Sequence, residues 1–390
     1  NDCQIKVLIT NQTRLQTLLP KLKQLTSLTH IILTDQESTI DLASNKITLL
    51  SWDDFITHQK TVNFTITSPL KNQVAAILYT SGSTGQPKGV MLSHTNIILG
   101  AKAVVSYLNN TPQDNILAVL PLSFDYGLNQ VTSSFLAGAT CVLLDYLRPI
   151  DIIRAIDKYK ITGLAAVPPL WSQLAKLPWS SANNSSLRYF TNSGGILTQA
   201  TLQQLRTLLP QAKPYLMYGL TEAFRSTYLA PEDLDLKPGS IGKAIPYCEV
   251  LVVNKAGKVC EADEPGELVH TGPLVSLGYW NAKEQTAKRF KLVPNQNNSQ
   301  ASSELAVWSG DTVKKDSDGF LYFIARNDDM IKTSGYRLSP SEVEEILYQH
   351  TAVIEAAVIG VNHALLGQAI LAIITSNTKV CLTKLSKELL

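Results

Sequence analysis

The feature that most constrains this chain is a regular alternation between residues 74 and 218. Short apolar runs at 74–78, 116–120, 140–144, 162–167, 188–191 and 215–217 alternate with stretches such as 94–108, 150–159 and 198–209, whose apolar residues recur at helical spacing. This pattern predicts a largely parallel sheet with helices on both faces, because parallel neighbours need a crossover and each crossover helix must bury its apolar stripe. Val74-Ala-Ala-Ile-Leu78 reads as one of the buried strands of such a sheet.

After Pro238 the pattern shifts to short strands and turns. The stretch "CEVLVVNKAGKVCEADEPGELVHTG" predicts hairpins around Ala256-Gly257 and Pro265-Gly266, and residues 294–304, "PNQNNSQASSE", read as a surface loop between two strands. Near Asp328 a last unit begins. In "LSPSEVEEIL" Ser339 is the expected N-cap, Pro340 stands in the first turn and Glu342 follows three residues after the cap. Val343, Ile346 and Leu347 give its apolar stripe, and strands are expected at 356–361 and 369–375. The predicted fold class is therefore α/β. A large domain, residues 1–327, is β-rich from about residue 238, and a small α+β domain occupies residues 328–390.

Composition narrows the function classes. Charged residues make up 17% of the 390 and hydrophobic ones 45%, so much of the chain is interior. The formal charge is +2 without a Lys/Arg block, which argues against nucleic acid or an anionic membrane as partner. No apolar stretch reaches the ~18 residues of a membrane helix. Five cysteines are scattered without a CxxC pair, and Cys141, inside an apolar run, reads as a buried thiol; a reducing, cytoplasmic compartment fits. The six histidines lack metal-ligand spacing, so no zinc site is expected, and His94 is left without a role. Asn1-Asp-Cys carries neither an initiator Met nor a signal-peptide pattern, and the chain ends within an expected helix at 385–390, which reads as a fragment.

One loop carries chemistry. Residues 80–89, "TSGSTGQPKG", combine glycines, hydroxyls and a lysine between the expected strand and the helix that starts at His94. Glycines let backbone approach an anion, N–H groups and hydroxyls donate to it, and Lys88 adds charge, so phosphate is the expected ligand. The spacing is not that of a Walker A loop.

The full string "YTSGSTGQPKGVMLSH" resembles the phosphate-binding loop of the adenylate-forming superfamily, which includes acyl-CoA synthetases, adenylation domains of nonribosomal peptide synthetases and luciferase-like enzymes. Four further strings follow in that family's order: "YGLTEA", "GELVHTG", "WSGD" and "ARNDDMIKTSGYRLSPSEVEEIL". More closely, "LSFDYGLNQ", "VPPLW", "RYFTNSGG" and "MYGLTEAFRSTYLAPED" are similar to AMP-forming acyl-CoA ligases associated with bacterial exosortase systems. The resemblance covers the chain from Val74 onward, and the part before it more loosely.

The resemblance implies two half-reactions with ATP, Mg²⁺ and CoA. A carboxylate attacks the α-phosphate of ATP, giving acyl-AMP and pyrophosphate, and a thiol then displaces AMP. Thr80, Ser81, Gly82, Ser83, Thr84, Gly85 and Lys88 match the loop on the β- and γ-phosphates. Glu222 matches the Mg²⁺ carboxylate, Thr221 the α-phosphate donor, and Tyr218 with Gly219 the adenine wall. Ser193, Gly194 and Gly195 match the loop on adenine's other side; Asp311 matches the ribose carboxylate and Arg326 its cationic partner. Asp328 matches the hinge that makes the small domain mobile, and Gly335 and Arg337 the thiol tunnel. The implied partner is a small-molecule carboxylic acid. An acyl carrier protein is the alternative acceptor of the acyl group, and a non-catalytic nucleotide-binding remnant the alternative of another class.

Asp125, in "SFDYG", falls where the family lines its carboxylate pocket. Amino-acid-activating members pair an aspartate there with the substrate's ammonium. Asp125 is read either as that partner, for an amino-bearing acid, or as bonded to a loop or a hydroxyl. The chain departs from the family at both ends: about a hundred earlier residues and a C-terminal "NGK"-type lysine are missing, and Lys379, Lys384 and Lys387 lie in the wrong context to replace it.

Overall fold

The structure, a computed structural model, describes residues 2–35, 46–57, 70, 72–80, 87–179, 186–293, 304–326, 331–333, 336–338, 340–350, 352–363 and 367–376. It divides into two compact units, Asn1–Pro69 and Leu70–Leu390. In the first, strands β1 (Val7–Thr10), β2 (His30–Leu33) and β3 (Thr48–Ser51) pair in parallel in that order. The helix Gln12–Leu18 contributes Leu15 to a core with Leu22, Leu28, Ile31 and Leu33.

In the second unit, β4 (Val74–Thr80) and β5 (Lys88–Ser93) form a two-stranded antiparallel pair in which Thr80 faces Lys88. This corrects the reading of 74–78 as a buried strand of a parallel sheet. With one strand neighbour among the described residues, β4 buries Leu78 but leaves Val74 and Tyr79 exposed. The glycine- and hydroxyl-rich loop therefore joins two strands of a hairpin, and the helix His94–Leu108 follows only after β5. That helix starts on a reciprocal cap: Ser93 N–H donates to Asn96 Oδ1 at 2.8 Å and Asn96 N–H to Ser93 Oγ at 3.1 Å.

The parallel sheet follows as expected. Strands β6 (Asn115–Ala118), β7 (Thr140–Leu143), β8 (Gly163–Ala166), β9 (Tyr189–Asn192) and β10 (Lys213–Leu220) pair in the order β7-β6-β8-β9-β10. Helices Pro149–Lys158, Pro168–Ala175 and Gln199–Leu208 cover one face through Ile152, Trp171 and Leu205 against Leu117, Leu164 and Phe190. The helix His94–Leu108 covers the other through Val104 and Tyr107 against Tyr189, Tyr215 and Met217. Cys141 is half-buried rather than buried, because β7 is the edge strand.

Beyond β10 the same sheet continues antiparallel through β11 (Phe224–Leu229), β12 (Ser240–Ala244), β17 (Leu321–Arg326), β16 (Leu305–Lys315), β14 (Gly266–Thr271) and β13 (Glu249–Val253), with β15 (Phe290–Leu292) beside β16. β13 pairs directly with β14, so the two expected hairpins are one. Residues 254–258 form a small turn closed by a Val253–Val259 bridge, whereas Pro265-Gly266 leads straight into β14. The expected loop at 294–304 joins the paired strands β15 and β16; residues 294–303 lie outside the described residues.

The last elements are β18 (Ile331–Thr333), β19 (Tyr336–Leu338), the helix Pro340–Tyr348, β20 (Val353–His363) and β21 (Gly367–Ser376). Leu347 packs with Ile331 and Val358, and Val343 one turn earlier joins them. Ile346 is 51% exposed and drops out of the expected stripe, since it lies about 100° around the helix from Leu347. Ser339, the side chain of Glu342, and residues 377–390 with Lys379, Lys384 and Lys387 lie outside the described residues. Among the described residues no helix is long and apolar enough to cross a membrane.

Candidate active site

In open α/β sheets ligands bind beyond the C-terminal ends of the parallel strands. Three segments leave β6, β9 and β10 at that edge. β6 leads to the helix Asp125–Ala137, β9 to Ser193-Gly194-Gly195, and β10 to Thr221-Glu222. Leu216 pairs with Asn192, so Tyr218 and Gly194 lie two residues further along neighbouring strands. Gly194 has φ +79, a conformation that glycine adopts without strain. Asn192 Nδ2 donates to Gly195 O at 3.0 Å and fixes the loop.

Thr221 and Glu222 are the central residues of a tight turn in which Ala223 N–H donates to Leu220 O at 2.9 Å. Glu222 is half-buried, and its Oε1 accepts a 2.6 Å hydrogen bond from the Tyr279 hydroxyl. Lys88 Nζ lies 5.4 Å from the centre of the Tyr279 ring. The segment carrying Tyr279 is stitched to β5: Trp280 N–H donates to Gly89 O at 2.7 Å and Leu277 N–H to Met91 O at 2.9 Å. Burial, followed by the neighbouring Glu222 charge, raises the Tyr279 pKa, so the phenol keeps its proton and orients the carboxylate. Among the described residues no other group hydrogen-bonds to the Glu222 carboxylate. Among the described residues no three His, Cys, Asp or Glu gather. One carboxylate near a phosphate loop suits Mg²⁺, which takes one or two carboxylates and completes its shell with water and phosphate oxygens.

Tyr218, Asp311 and Arg326 form a second cluster. Asp311 is 3% exposed; its Oδ2 accepts from the Tyr218 hydroxyl at 2.5 Å and its Oδ1 from Arg326 Nε at 2.9 Å. Asp311 and Arg326 are cross-strand partners on β16 and β17. A carboxylate has about four acceptor positions, and among the described residues two are taken, which leaves two for further hydroxyls. Beside Asp311, Gly310 N–H donates to Glu267 Oε1 at 2.9 Å.

Asp125 occupies the first turn of its helix, where the dipole favours an anion. Thr221 Oγ1 donates to its Oδ1 at 3.5 Å, at the outer limit of a hydrogen bond. The structure thus brings Lys88, Thr221 and Glu222 together at one end of the Tyr218–Glu222 segment, and Tyr218, Asp311 and Arg326 at the other. Thr80 faces Lys88 across the hairpin neck. Ser81, Gly82, Ser83, Thr84, Gly85, Asp328 and Gly335 lie outside the described residues; Arg337 belongs to β19, and its side chain is likewise not described.

Sequence reasoning missed Tyr279 and His270. Tyr279 is 57 residues from its partner Glu222, and no local pattern marks it. His270 stands in the quoted string "GELVHTG", and its spacing to the other histidines marks no role for it. It is fully buried, its ring stacks on Tyr218 with centroids 6.1 Å apart, and neither ring nitrogen has a partner among the described residues. Burial, helped by Arg289, lowers its pKa to about 3, so the folded protein holds it neutral. A folded pKa below the ordinary 6.5 makes this stability complete above pH 6.5 and progressively lost below it. Between pH 6.5 and 5 the loss should be about 2 kcal/mol. Denaturant unfolding at stepped pH should show that slope, and His270→Gln should flatten it.

Comparison with known proteins gives a consistent picture. Residues 1–280 match the family model described as AMP-binding enzyme, and residues 342–390 that of the AMP-binding enzyme C-terminal domain. The chain is 29% identical over 398 residues to a long-chain-fatty-acid–CoA ligase of Bacillus subtilis, covering 96% of this chain and 68% of that ligase. Of four other acid–CoA ligases that it matches, it spans about half to two thirds. A crystal structure of an anthranilate CoA ligase in complex with anthranoyl-AMP superposes with TM-score 0.85 at 26% identity, covering 100% of this chain and 71% of that one. The O-succinylbenzoate CoA synthetase of Bacillus subtilis, in complex with ATP and magnesium, gives TM-score 0.78 at 26% identity, covering 98% and 82%.

Proposed function

Because this chain belongs to the AMP-binding enzyme family, we propose that it activates a carboxylic acid with ATP and passes the acyl group to the thiol of CoA. An acid oxygen bonds to the α-phosphorus as the bond from that phosphorus to the bridging oxygen breaks and pyrophosphate leaves. The thiol sulfur then bonds to the acyl carbon, the acyl–phosphate C–O bond breaks, and AMP departs. The observation that carries this reading is the Tyr218–Glu222 segment, which ties a lysine–carboxylate end to a buried-carboxylate end within five residues.

In this reading Thr80, Lys88 and the loop 81–85 hold the β- and γ-phosphates, and positioning with charge stabilisation supplies most of the catalysis. Thr221 donates to the α-phosphate. Tyr218 with Gly219, and Ser193 to Gly195, flank the adenine, and the two open acceptor positions of Asp311 take the ribose hydroxyls. Mg²⁺, when bound, neutralises charge on the triphosphate; Glu222 holds it and Tyr279 aims Glu222. Residues 1–327 form the large domain and 328–390 the small one, with Asp328 as hinge and Gly335 and Arg337 along the thiol's path. The similarity of strings such as "LSFDYGLNQ" and "MYGLTEAFRSTYLAPED" supports reading the chain as one of the exosortase-associated ligases.

Mass spectrometry tests both halves. With ATP, Mg²⁺ and a panel of acids, an acyl-AMP should form without CoA and be replaced by an acyl-CoA when CoA is added. An acyl-AMP that persists with CoA but clears with a phosphopantetheinyl carrier protein would move the second step to that acceptor. An Asp125→Ala variant that uses amino-bearing and amine-free acids equally, where the parent prefers the former, would assign Asp125 to the ammonium.

A further inference from the structure

Arg225 is 2% exposed, and none of Nε, Nη1 and Nη2 has a hydrogen-bond partner among the described residues. A guanidinium does not shed its charge on burial, so its donors call for an acceptor. What it does touch are the faces of Tyr126, at 4.7 Å, and Phe224, at 4.5 Å, which favour a cation but satisfy no N–H.

The backbone is shaped to put it there. Tyr218 pairs with Thr227 but Gly219 pairs with Arg225, so Ser226 is an extra residue in β11. Paired residues share a sheet face and faces alternate, so without that bulge Arg225 would share the face of Thr227. With it, Arg225 shares the face of Met217 and Tyr228, under the helix His94–Leu108. Phe224 is held at φ +60, unusual for a bulky residue. A Cβ on Gly219 would meet Phe224 O at 2.3 Å, and one on Gly100 would meet the Phe224 ring at 2.8 Å. Strain, a bulge and two glycines converge on the Phe224–Arg225 pair.

The helix that carries Tyr126 is polar on its buried face. The helix Asp125–Ala137 buries Tyr126, Asn129, Gln130 and Ser133, on a face where a covering helix ordinarily presents apolar residues. Asn129 Oδ1 and Ser133 Oγ are buried without partners among the described residues. Phe224, on which Arg225 stacks, lines a narrow cavity together with Asp125, Asn129 and Thr221.

We propose that Arg225 is a specificity-determining residue that pairs with a second anionic group on the acid, so that the preferred substrates are short dicarboxylic acids or their equivalents. This rests on the adenylation reading above. The test is ATP–pyrophosphate exchange by the full-length protein with acids matched in length, butyrate against succinate and valerate against glutarate. A guanidinium–carboxylate pair in a desolvated site should favour the dicarboxylate by about 10²-fold in kcat/KM. Arg225→Met should erase that preference chiefly through KM, and Arg225→Lys should keep part of it. Equal use of matched acids by the parent protein overturns the proposal even if Arg225→Met fails to fold, as does a preference that survives Arg225→Met. If no acid supports exchange, the adenylation reading falls by itself. The Arg225 site is then decided by melting: a rise in Tm with succinate that Arg225→Met loses upholds it, and no rise overturns it.

Discussion

Glu222→Gln should lower acid-dependent pyrophosphate exchange by about 10²- to 10³-fold while leaving the fold intact. The amide keeps the shape and can still accept from the Tyr279 hydroxyl, now 2.6 Å from the carboxylate. What it removes is the negative charge that a hard cation needs. Tyr279→Phe should be milder, about 10-fold, because it frees the carboxylate to rotate without removing it. Raising Mg²⁺ should recover part of the Tyr279→Phe loss and little of the Glu222→Gln loss. Exchange within a few-fold of the parent for Glu222→Gln would take the cation away from this turn.

Asp311→Asn should raise KM for ATP by about 10²-fold with a smaller change in kcat, since charge-assisted hydrogen bonds are worth roughly 1.5–3 kcal/mol each. The buried Asp311 carboxylate already holds Tyr218 and Arg326, and an asparagine would turn an NH₂ group toward one of those two donors. The variant should therefore also melt a few degrees lower. Arg326→Ala is the control: its side chain is 57% exposed, so the ion pair contributes about 1 kcal/mol or less and KM should move only a few-fold. An unchanged KM for ATP in Asp311→Asn would remove the ribose from this carboxylate.

Much of the site was legible because its residues sit in short strings whose chemistry is local. Thr221 and Glu222 share one turn, and Asp311 and Arg326 lie on adjacent strands joined by a tight connection. The parallel strands were legible through their apolar runs, which two covered faces require. The hairpin β4–β5 was not, because β5 is six residues long and abuts the helix at His94, so its period is hidden. Ile346 misled because two adjacent apolar residues cannot both face a shallow core. Tyr279 and Arg225 stayed invisible for different reasons. The first depends on a contact across the fold, and the second on a one-residue bulge that changes which face a side chain takes.

The most direct measurement is ATP–pyrophosphate exchange by the full-length protein with a panel of carboxylic and amino acids, run beside Glu222→Gln. The expected result is exchange that requires both Mg²⁺ and one class of acid and is lost in the variant. A folded protein that binds ATP yet exchanges with no acid would contradict the proposed adenylation.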